Sequence, residues 1–390
     1  MASVAKRPAV LHVITDLHTG GAESMMTSLI LSRNAQEGQA VVVSLLDGGS
    51  FARILDRAGI TVFELGMKPG WAILLSFSAL FKLIRLIRRL QPDVIQSWMY
   101  HADLLALLAW ILSGRRKRTR LYWGVRCSNM DTSQYNKTLR AAIRACALLS
   151  PLPTAIIANS VAGRAAHLRL GYRPKRFPAI DNGFNLTRFA ASPERRRKIR
   201  VQLGISENAT IIALVARVDH MKDHAGFLAA FNKVSGAEAL LVGRGTENLP
   251  DRPGLHRLGQ RSDVPDLLSA CDIIVSSSAF GEGFSNALAE GMATELAPIA
   301  TDVGDAQRII GDTGIVVPPR DPIALARAIQ ELIDDPELRL NLGRKARKRV
   351  EKNFSLERTL EAFEAIYTES ELHPPSSLLE VPYPALPNRP

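Results

Sequence analysis

Glu282 and Glu290 stand eight residues apart in the stretch Phe280-Gly-Glu-Gly-Phe-Ser-Asn-Ala-Leu-Ala-Glu290-Gly-Met. The apolar run Ile273-Ile-Val predicts a buried strand, Ser276 to Gly283 the loop after it, and a helix from near Ser285. Leu288, Met292 and Ala293 fall on that helix's apolar side. Glu282 then lies before the helix and Glu290 about two turns further on. A nucleotide-sugar carries hydroxyls at both ends, on a ribose and on a hexose, with a pyrophosphate between. Each carboxylate can accept hydrogen bonds from one set of hydroxyls. The helix N-terminus between them offers free N–H groups and a positive dipole end to the phosphates. The competing reading is two solvated helix residues, the usual fate of Glu. The Gly-Glu-Gly-Phe loop after a strand favours the site, because open α/β sheets bind ligands there.

Other residues fit the same ligand. Arg217 and Lys222 flank the loop Ala216-Arg-Val-Asp-His-Met-Lys-Asp-His224, again after a predicted strand. Two cations there can neutralise a diphosphate and stabilise it as a leaving group. Gly20 and Gly21, between the first strand and first helix, let backbone approach a ligand closely. His101, in Gln96-Ser-Trp-Met-Tyr-His101-Ala-Asp103, can position a hydroxyl or move a proton. Gly243, in Leu240-Leu-Val-Gly-Arg-Gly245, can admit a flat base against the backbone. None of these is a Gly-x-Gly-x-x-Gly fingerprint or a Walker loop. Each also has an ordinary structural explanation as a turn, a surface charge or a packed histidine.

At 390 residues the chain is long for one core, and two domains are expected. Hydrophobic content of 46% and a mean hydropathy of +0.03 describe a folded protein. The longest apolar runs, Trp71–Phe81 and Leu104–Leu112, fall short of the roughly 20 residues that span a bilayer. Lys6, Arg7 and the strand-like run after them lack the cleavage pattern of a secretory signal, so a cytoplasmic location is expected. Cys127, Cys146 and Cys271 have no ligand spacing and are read as reduced core thiols. No metal or cofactor is expected. Charge is uneven: residues 1–185 hold 24 Lys and Arg against 10 Asp and Glu, and residues 186–390 hold 25 against 28. The first half is therefore expected to face something anionic.

Strand and helix patterns alternate along both halves, which predicts parallel sheets covered on both faces. The turn-rich Asp181-Asn-Gly places a boundary near residue 185. The fold class expected is α/β, with two Rossmann-like doubly wound domains, 1–185 and 186–353, facing a cleft. Residues 354–370 form a further helix that packs back toward the first domain. Residues 371–390 are proline-rich and are expected to be disordered. A long helix is predicted over Leu74–Leu90, and Ala102–Leu112 forms another.

Taken in order, these segments resemble the family-four retaining glycosyltransferases of GT-B architecture, and the resemblance covers residues 8–370. It rests on Thr19-Gly-Gly-Ala-Glu23, Trp98–Asp103, Asp181-Asn-Gly, Arg217 with Lys222, Gly243-Arg-Gly, and Glu282 with Glu290. Ala300-Thr-Asp-Val-Gly304 and Gly314-Ile-Val-Val-Pro-Pro319 complete it. The resemblance implies a nucleotide-sugar donor, usually a UDP-sugar, lying mainly on the second domain. Arg217 and Lys222 would hold its diphosphate, Glu290 its ribose and Glu282 its hexose. Phe284 to Asn286 would assist through backbone N–H groups. Gly20 and Gly21 would approach from the first domain, with His101 near the donor sugar. It further implies retention without a bound metal, and a glycan or polyprenyl (lipid-linked) acceptor of envelope polysaccharide or lipopolysaccharide synthesis. Two segments depart from the family pattern: Thr294-Glu295-Leu-Ala-Pro298 replaces Cys-Gly before Leu-Pro, and Gly304-Asp-Ala-Gln-Arg308 replaces Gly-Gly-x-x-Glu.

Two alternatives compete: a nucleotide-sugar epimerase of the same architecture, and a non-catalytic nucleotide-binding protein. Nucleic acid is not an expected partner, because no motif or interleaved aromatic stack accompanies Arg115–Arg120. An anionic membrane surface is, on the inner face of the cytoplasmic membrane. Trp71–Leu90 carries Trp71, Leu74, Phe77, Phe81 and Ile84 beside Lys82, Arg85, Arg88 and Arg89, with no acidic residue.

Overall fold

The computed structural model describes residues 7–18, 20–35, 39–68, 76–127 and 136–368. In the first part of the chain, β1 (Val10–Ile14), β2 (Ala40–Ser44), β3 (Thr61–Glu64), β4 (Val94–Trp98), β5 (Arg120–Val125) and β6 (Ala155–Ala158) each lead into a helix. Those helices are α1 (Gly21–Asn34), α2 (Ser50–Arg57), α3 (Phe77–Leu90), α4 (Tyr100–Leu112), α5 (Lys137–Leu149) and α6 (Val161–Arg169). The strands form one six-stranded sheet in the order β3-β2-β1-β4-β5-β6, every pair parallel.

After α7 (Pro193–Leu203) the pattern restarts. Its strands are β7 (Thr210–Val215), β8 (Ala237–Val242), β9 (Leu255–Arg257), β10 (Ile273–Ser276), β11 (Ala297–Thr301) and β12 (Ile315–Val317). They pair in parallel in the order β12-β11-β10-β7-β8-β9. Helices α8 (His224–Phe231), α9 (Val264–Ser269), α10 (Asn286–Ala293) and α11 (Ala306–Ile310) follow β7, β9, β10 and β11. The chain closes with α12 (Pro322–Asp334), α13 (Pro336–Asn353) and α14 (Leu356–Thr368).

Alternation along the strands builds a core on each face of each sheet. Leu11 and Val13 enter one cluster and Val10 and Ile14 the opposite one. In the second sheet Ile211 and Ala213 face one side, and Ile212 and Leu214 the other. Burial on both faces explains why these strands read as continuous apolar runs.

The second core of the first sheet is completed from far along the chain. Leu356, Leu360, Phe363, Ile366 and Tyr367 of α14 join Val10, Ile14, Trp98 and Tyr122. The Tyr122 hydroxyl donates to the Ile366 carbonyl at 2.9 Å, and the Tyr367 hydroxyl to Gln96 Oε1 at 3.0 Å. The fully buried Arg33 of α1 pairs with Glu364 of α14. The chain crosses between the lobes twice, side by side. Phe184 N–H donates to the Phe354 carbonyl at 2.9 Å, and Leu356 N–H to the Phe184 carbonyl at 3.0 Å. A Cβ on Gly183 would come within 2.4 Å of the Thr359 hydroxyl and 2.7 Å of the Ser355 carbonyl, so only glycine fits that crossing.

Several elements differ from the sequence expectation. α4 starts at Tyr100, so His101 sits in the first turn of a helix instead of the loop before it. α3 starts at Phe77 with Ser76 as its cap, accepting from Ala79 N–H; Trp71 and Leu74 lie outside the described residues, as do residues 371–390. Cys146 and Cys271 are buried thiols, but Cys127 is half-exposed and is not in the core.

Candidate donor site

An open parallel sheet binds ligands where the strand order reverses, because neighbouring loops there leave in opposite directions and open a crevice. In the first sheet the reversal lies between β1 and β4, in the second between β7 and β10. The loops at these points are the ones the sequence singles out: the segment before Gly20, the turn before His101, the Arg217–Lys222 loop, and the Glu282 loop.

In the second lobe the two loops are joined by an ion pair. Lys222 Nζ lies 2.5 Å from Glu282 Oε2, and both side chains are largely buried. The Ser278 hydroxyl donates to the same carboxylate oxygen at 3.0 Å. Backbone fixes the arrangement: Ala279 N–H donates to the Met221 carbonyl at 2.8 Å, and the Ser277 hydroxyl to the Lys222 carbonyl at 2.8 Å. Asp223, with φ of 46°, ends the loop and caps α8 by accepting from Gly226 N–H. Arg217 differs from Lys222. It is 52% exposed and paired with Asp219 at 3.2 Å. Gly243 closes behind it, since a Cβ there would lie 2.2 Å from the Ala216 carbonyl.

The start of α10 is open. Ser285 stands at its cap position without a side-chain cap. The Phe284 ring is anchored in the core, stacked on Phe184 and edge-on to Phe354, so the turn's backbone is held in place. Asn286 meets the other lobe. Its Oδ1 accepts from Asn182 Nδ2 at 2.6 Å, and its Nδ2 lies 3.2 Å from where a Cβ on Gly21 would stand. The Gly20–Gly21 turn therefore faces the α10 N-terminus across the cleft. Gly20 is equally confined, with a Cβ position 2.2 Å from Glu23 Oε2. Glu290 lies about one turn further along α10. Burial pushes its carboxyl up to about 7, and nearby Arg188 pulls it back only in part.

His101 is in the first lobe. Burial lowers its pKa, which keeps the ring neutral, and Nε2 has no hydrogen-bond partner. Its turn is set by Met99, at φ 72°, and by Asp103, which accepts from the Ser97 hydroxyl at 2.5 Å. Burial raises the Asp103 pKa well above the usual range.

Sequence reasoning missed Arg126, Asn182, Glu23 and Asp305. The Arg126 guanidinium lies over the Trp98 ring at 4.5 Å and donates to Asn182 Oδ1 at 2.7 Å. Glu23, in the first turn of α1, is held up to about 7, chiefly by burial. Asn182 was legible only as part of a turn, and Arg126 carried no signal. Among the described residues no group of three or more His, Cys, Asp and Glu could hold a metal ion.

Known proteins match both lobes. A family model described as Glycosyltransferase Family 4 matches residues 19–188, and one described as Glycosyl transferases group 1 matches residues 209–335. The chain is 30% identical over 184 residues to the N-acetyl-alpha-D-glucosaminyl L-malate synthase of Bacillus anthracis, covering 44% of this chain and 48% of that protein. It thus spans about half the length of that relative. It is 25% identical over 323 residues to the capsular polysaccharide biosynthesis glycosyltransferase CapM of Staphylococcus aureus, covering 77% and 83%. The crystal structure of Anabaena HepE in complex with UDP-glucose superposes with a TM-score of 0.79 at 21% identity, covering 91% of this chain and 98% of that one. The GT-B fold follows from that superposition and from the two facing parallel sheets. With one model on each lobe, in chain order, this protein belongs to the family-four glycosyltransferases.

Proposed function

We propose that the protein is a retaining, metal-independent glycosyltransferase that moves a hexosyl group from a UDP-sugar to a glycan or lipid-linked acceptor of cell-envelope polysaccharide. The observation that carries this reading is the Lys222–Glu282 pair at the second sheet's reversal, beside the uncapped start of α10 and opposite Gly20–Gly21. HepE with its bound UDP-glucose, and CapM as a capsule enzyme, support donor and pathway class.

The second lobe would hold the donor and the first the acceptor. Glu290 accepts the ribose hydroxyls, and Glu282 those of the hexose. The α10 N–H groups, Lys222 and Arg217 take the diphosphate charge. The bond from the anomeric carbon to the diphosphate oxygen breaks as the acceptor oxygen bonds to that carbon on the same face. The acceptor's proton passes to the departing diphosphate. Cations already in place stabilise this charge without reorganising, which is where preorganised electrostatics contributes most. His101, neutral, orients a sugar hydroxyl.

The test is a panel of nucleotide-sugars screened for protection against thermal unfolding. A ligand at 100 times its Kd stabilises the folded state by about 2.7 kcal/mol. The protecting donor is then offered with and without glycan acceptors, and the product's anomeric configuration is read by NMR. Conversion of the sugar without any acceptor would favour an epimerase. Protection without turnover would favour a binding protein.

A further inference from the structure

Asp305 is 4% exposed and lies after β11, in the second lobe, yet its carboxylate serves the first. Oδ2 accepts from Val161 N–H at 2.9 Å and Oδ1 from Ala162 N–H at 2.8 Å. These are the first N–H groups of α6, and Ser160 caps the next by accepting from Gly163 N–H at 2.9 Å. A helix start left open has no intrahelical partners for these donors. Arg308, one turn further along, binds Asp305 through Nε at 3.0 Å and Nη2 at 2.7 Å. The same guanidinium grips Asp181 in the crossing segment with both terminal nitrogens, Nη1 at 2.9 Å. A planar fork shared by two carboxylates fixes direction as well as distance.

The cluster reaches the donor site through backbone. Asp305 N–H donates to the Gly283 carbonyl at 3.1 Å. Gly304, at φ 65°, passes so close that a Cβ would lie 2.1 Å from the Glu282 carbonyl oxygen. Whatever holds Asp305 also holds the loop that carries Glu282. Asp305 and Arg308 both belong to the segment Gly304-Asp-Ala-Gln-Arg308.

We infer that Asp305 and Arg308 are positioning residues: they pin the Glu282 loop to the first turn of α6 and to Asp181, and so set the spacing of the two lobes at which transfer occurs. The inference rests on the transferase reading above. It assigns them no contact with substrate.

The experiment compares wild type, Arg308→Ala, Arg308→Lys and Asp305→Ala as whole chains. UDP affinity is measured by calorimetry, lobe spacing by small-angle scattering, and kcat and donor KM with the donor found in the panel. Arg308→Ala should leave UDP affinity within about threefold. Its kcat should fall about a hundredfold, the scale of a 1 Å misplacement. Its radius of gyration should rise. Arg308→Lys keeps the charge without the fork and should fall between. If Asp305→Ala does not fold, Arg308→Lys and Arg308→Ala decide the matter, with melting curves as the check. Wild-type kcat in Arg308→Ala, or UDP affinity lost in step with kcat, overturns the inference. A wild-type protein without transfer removes the transferase reading instead. Scattering then decides the latch alone, and an unchanged radius of gyration in Arg308→Ala overturns it.

Discussion

Lys222 Nζ sits 2.5 Å from Glu282 Oε2, so the residue expected at the diphosphate and the residue expected at the hexose neutralise each other. Paired in this way, neither group stands as a buried uncompensated charge, and a donor bound as proposed would exchange the pair for contacts of its own. Lys222→Ala should lower turnover by about two to three orders of magnitude, the scale of removing one preorganised charge donor. Arg217→Ala should cost less, because Arg217 is half-exposed and must leave Asp219 before it can act. Steady-state kinetics on the two variants checks the ranking, and equal losses would contradict it.

The two glutamates should separate by ligand. Glu282→Gln should weaken the nucleotide-sugar by about tenfold, roughly 1.4 kcal/mol, and leave UDP almost unchanged. Glu290→Gln should weaken both. Calorimetry with UDP and with the intact donor distinguishes these patterns, and a Glu282→Gln loss for UDP as large as for the donor would refute the division.

Glu290 also gives a pH signature. Its carboxyl is held up to about 7 by burial, so it is partly protonated near neutrality. A raised acid pKa means the free fold prefers the protonated form, and stability contributed by this group is lost as pH rises from about 4.5 through 7. Ribose hydroxyls that donate to the ionised form pull the other way. UDP affinity should therefore rise between pH 6 and pH 8, and Glu290→Gln should flatten that rise. A wild-type profile already flat over this range would count against Glu290 at the ribose.

The proposed metal independence rests on Arg217 and Lys222, the two cations proposed for the diphosphate, and on the lack of an Asp-x-Asp pair in the sequence. Turnover should persist in excess chelator at more than about half its initial rate. Loss of activity that magnesium or manganese restores would end this part of the proposal.

Membrane docking through α3 is a further expectation. Ala79, Leu83 and Ile87 are buried against the sheet side, while Phe77 is 82% and Phe81 59% exposed. Not all its cations are available. Arg88 donates to the Leu112 and Ser113 carbonyls, and Lys82 to the Leu65 carbonyl at 3.3 Å. Arg85 lies over the Phe81 ring, and with Arg89 it would meet the headgroups at about 1 kcal/mol each. Co-sedimentation should be strong with anionic vesicles at low salt and weak with neutral vesicles or at high salt. It should be reduced about tenfold or more in an Arg85→Gln, Arg89→Gln double variant. Binding indifferent to lipid charge would refute docking by this helix. No helix among the described residues is long and apolar enough to cross a membrane.

The sheet strands were legible because burial on both faces makes them mostly apolar runs, as at Thr210–Val215 and, around the buried His12, at Val10–Ile14. The sequence also pointed to the loops at the two sheet reversals, since glycines and paired charges follow those strands. Short elements were harder. β9 and β12 have three residues each, too few for a period to show. α6 and α7 have weak amphipathic patterns; α7 is dominated by charge, and its Arg200 is buried against Asp272. What no single segment carries is pairing between segments far apart in the chain. Lys222 with Glu282, Asn182 with Asn286, and Asp305 with α6 join residues 60, 104 and about 144 positions apart. Local spacing holds no record of such contacts.

The return of α14 to the first sheet has a consequence for how the protein is made. That sheet's last strand ends at Ala158, but its second core lacks Phe363, Ile366 and Tyr367 until α14 is synthesised about 200 residues later. At roughly 5–20 residues per second, the ribosome takes about 10–40 s to supply them. Through that interval Trp98, Tyr122 and the buried charge of Arg33 have no cover from α14, while the second lobe can close around its own strands. The lobe made first is thus the lobe finished last, and nascent chains should depend on holding chaperones at that stage.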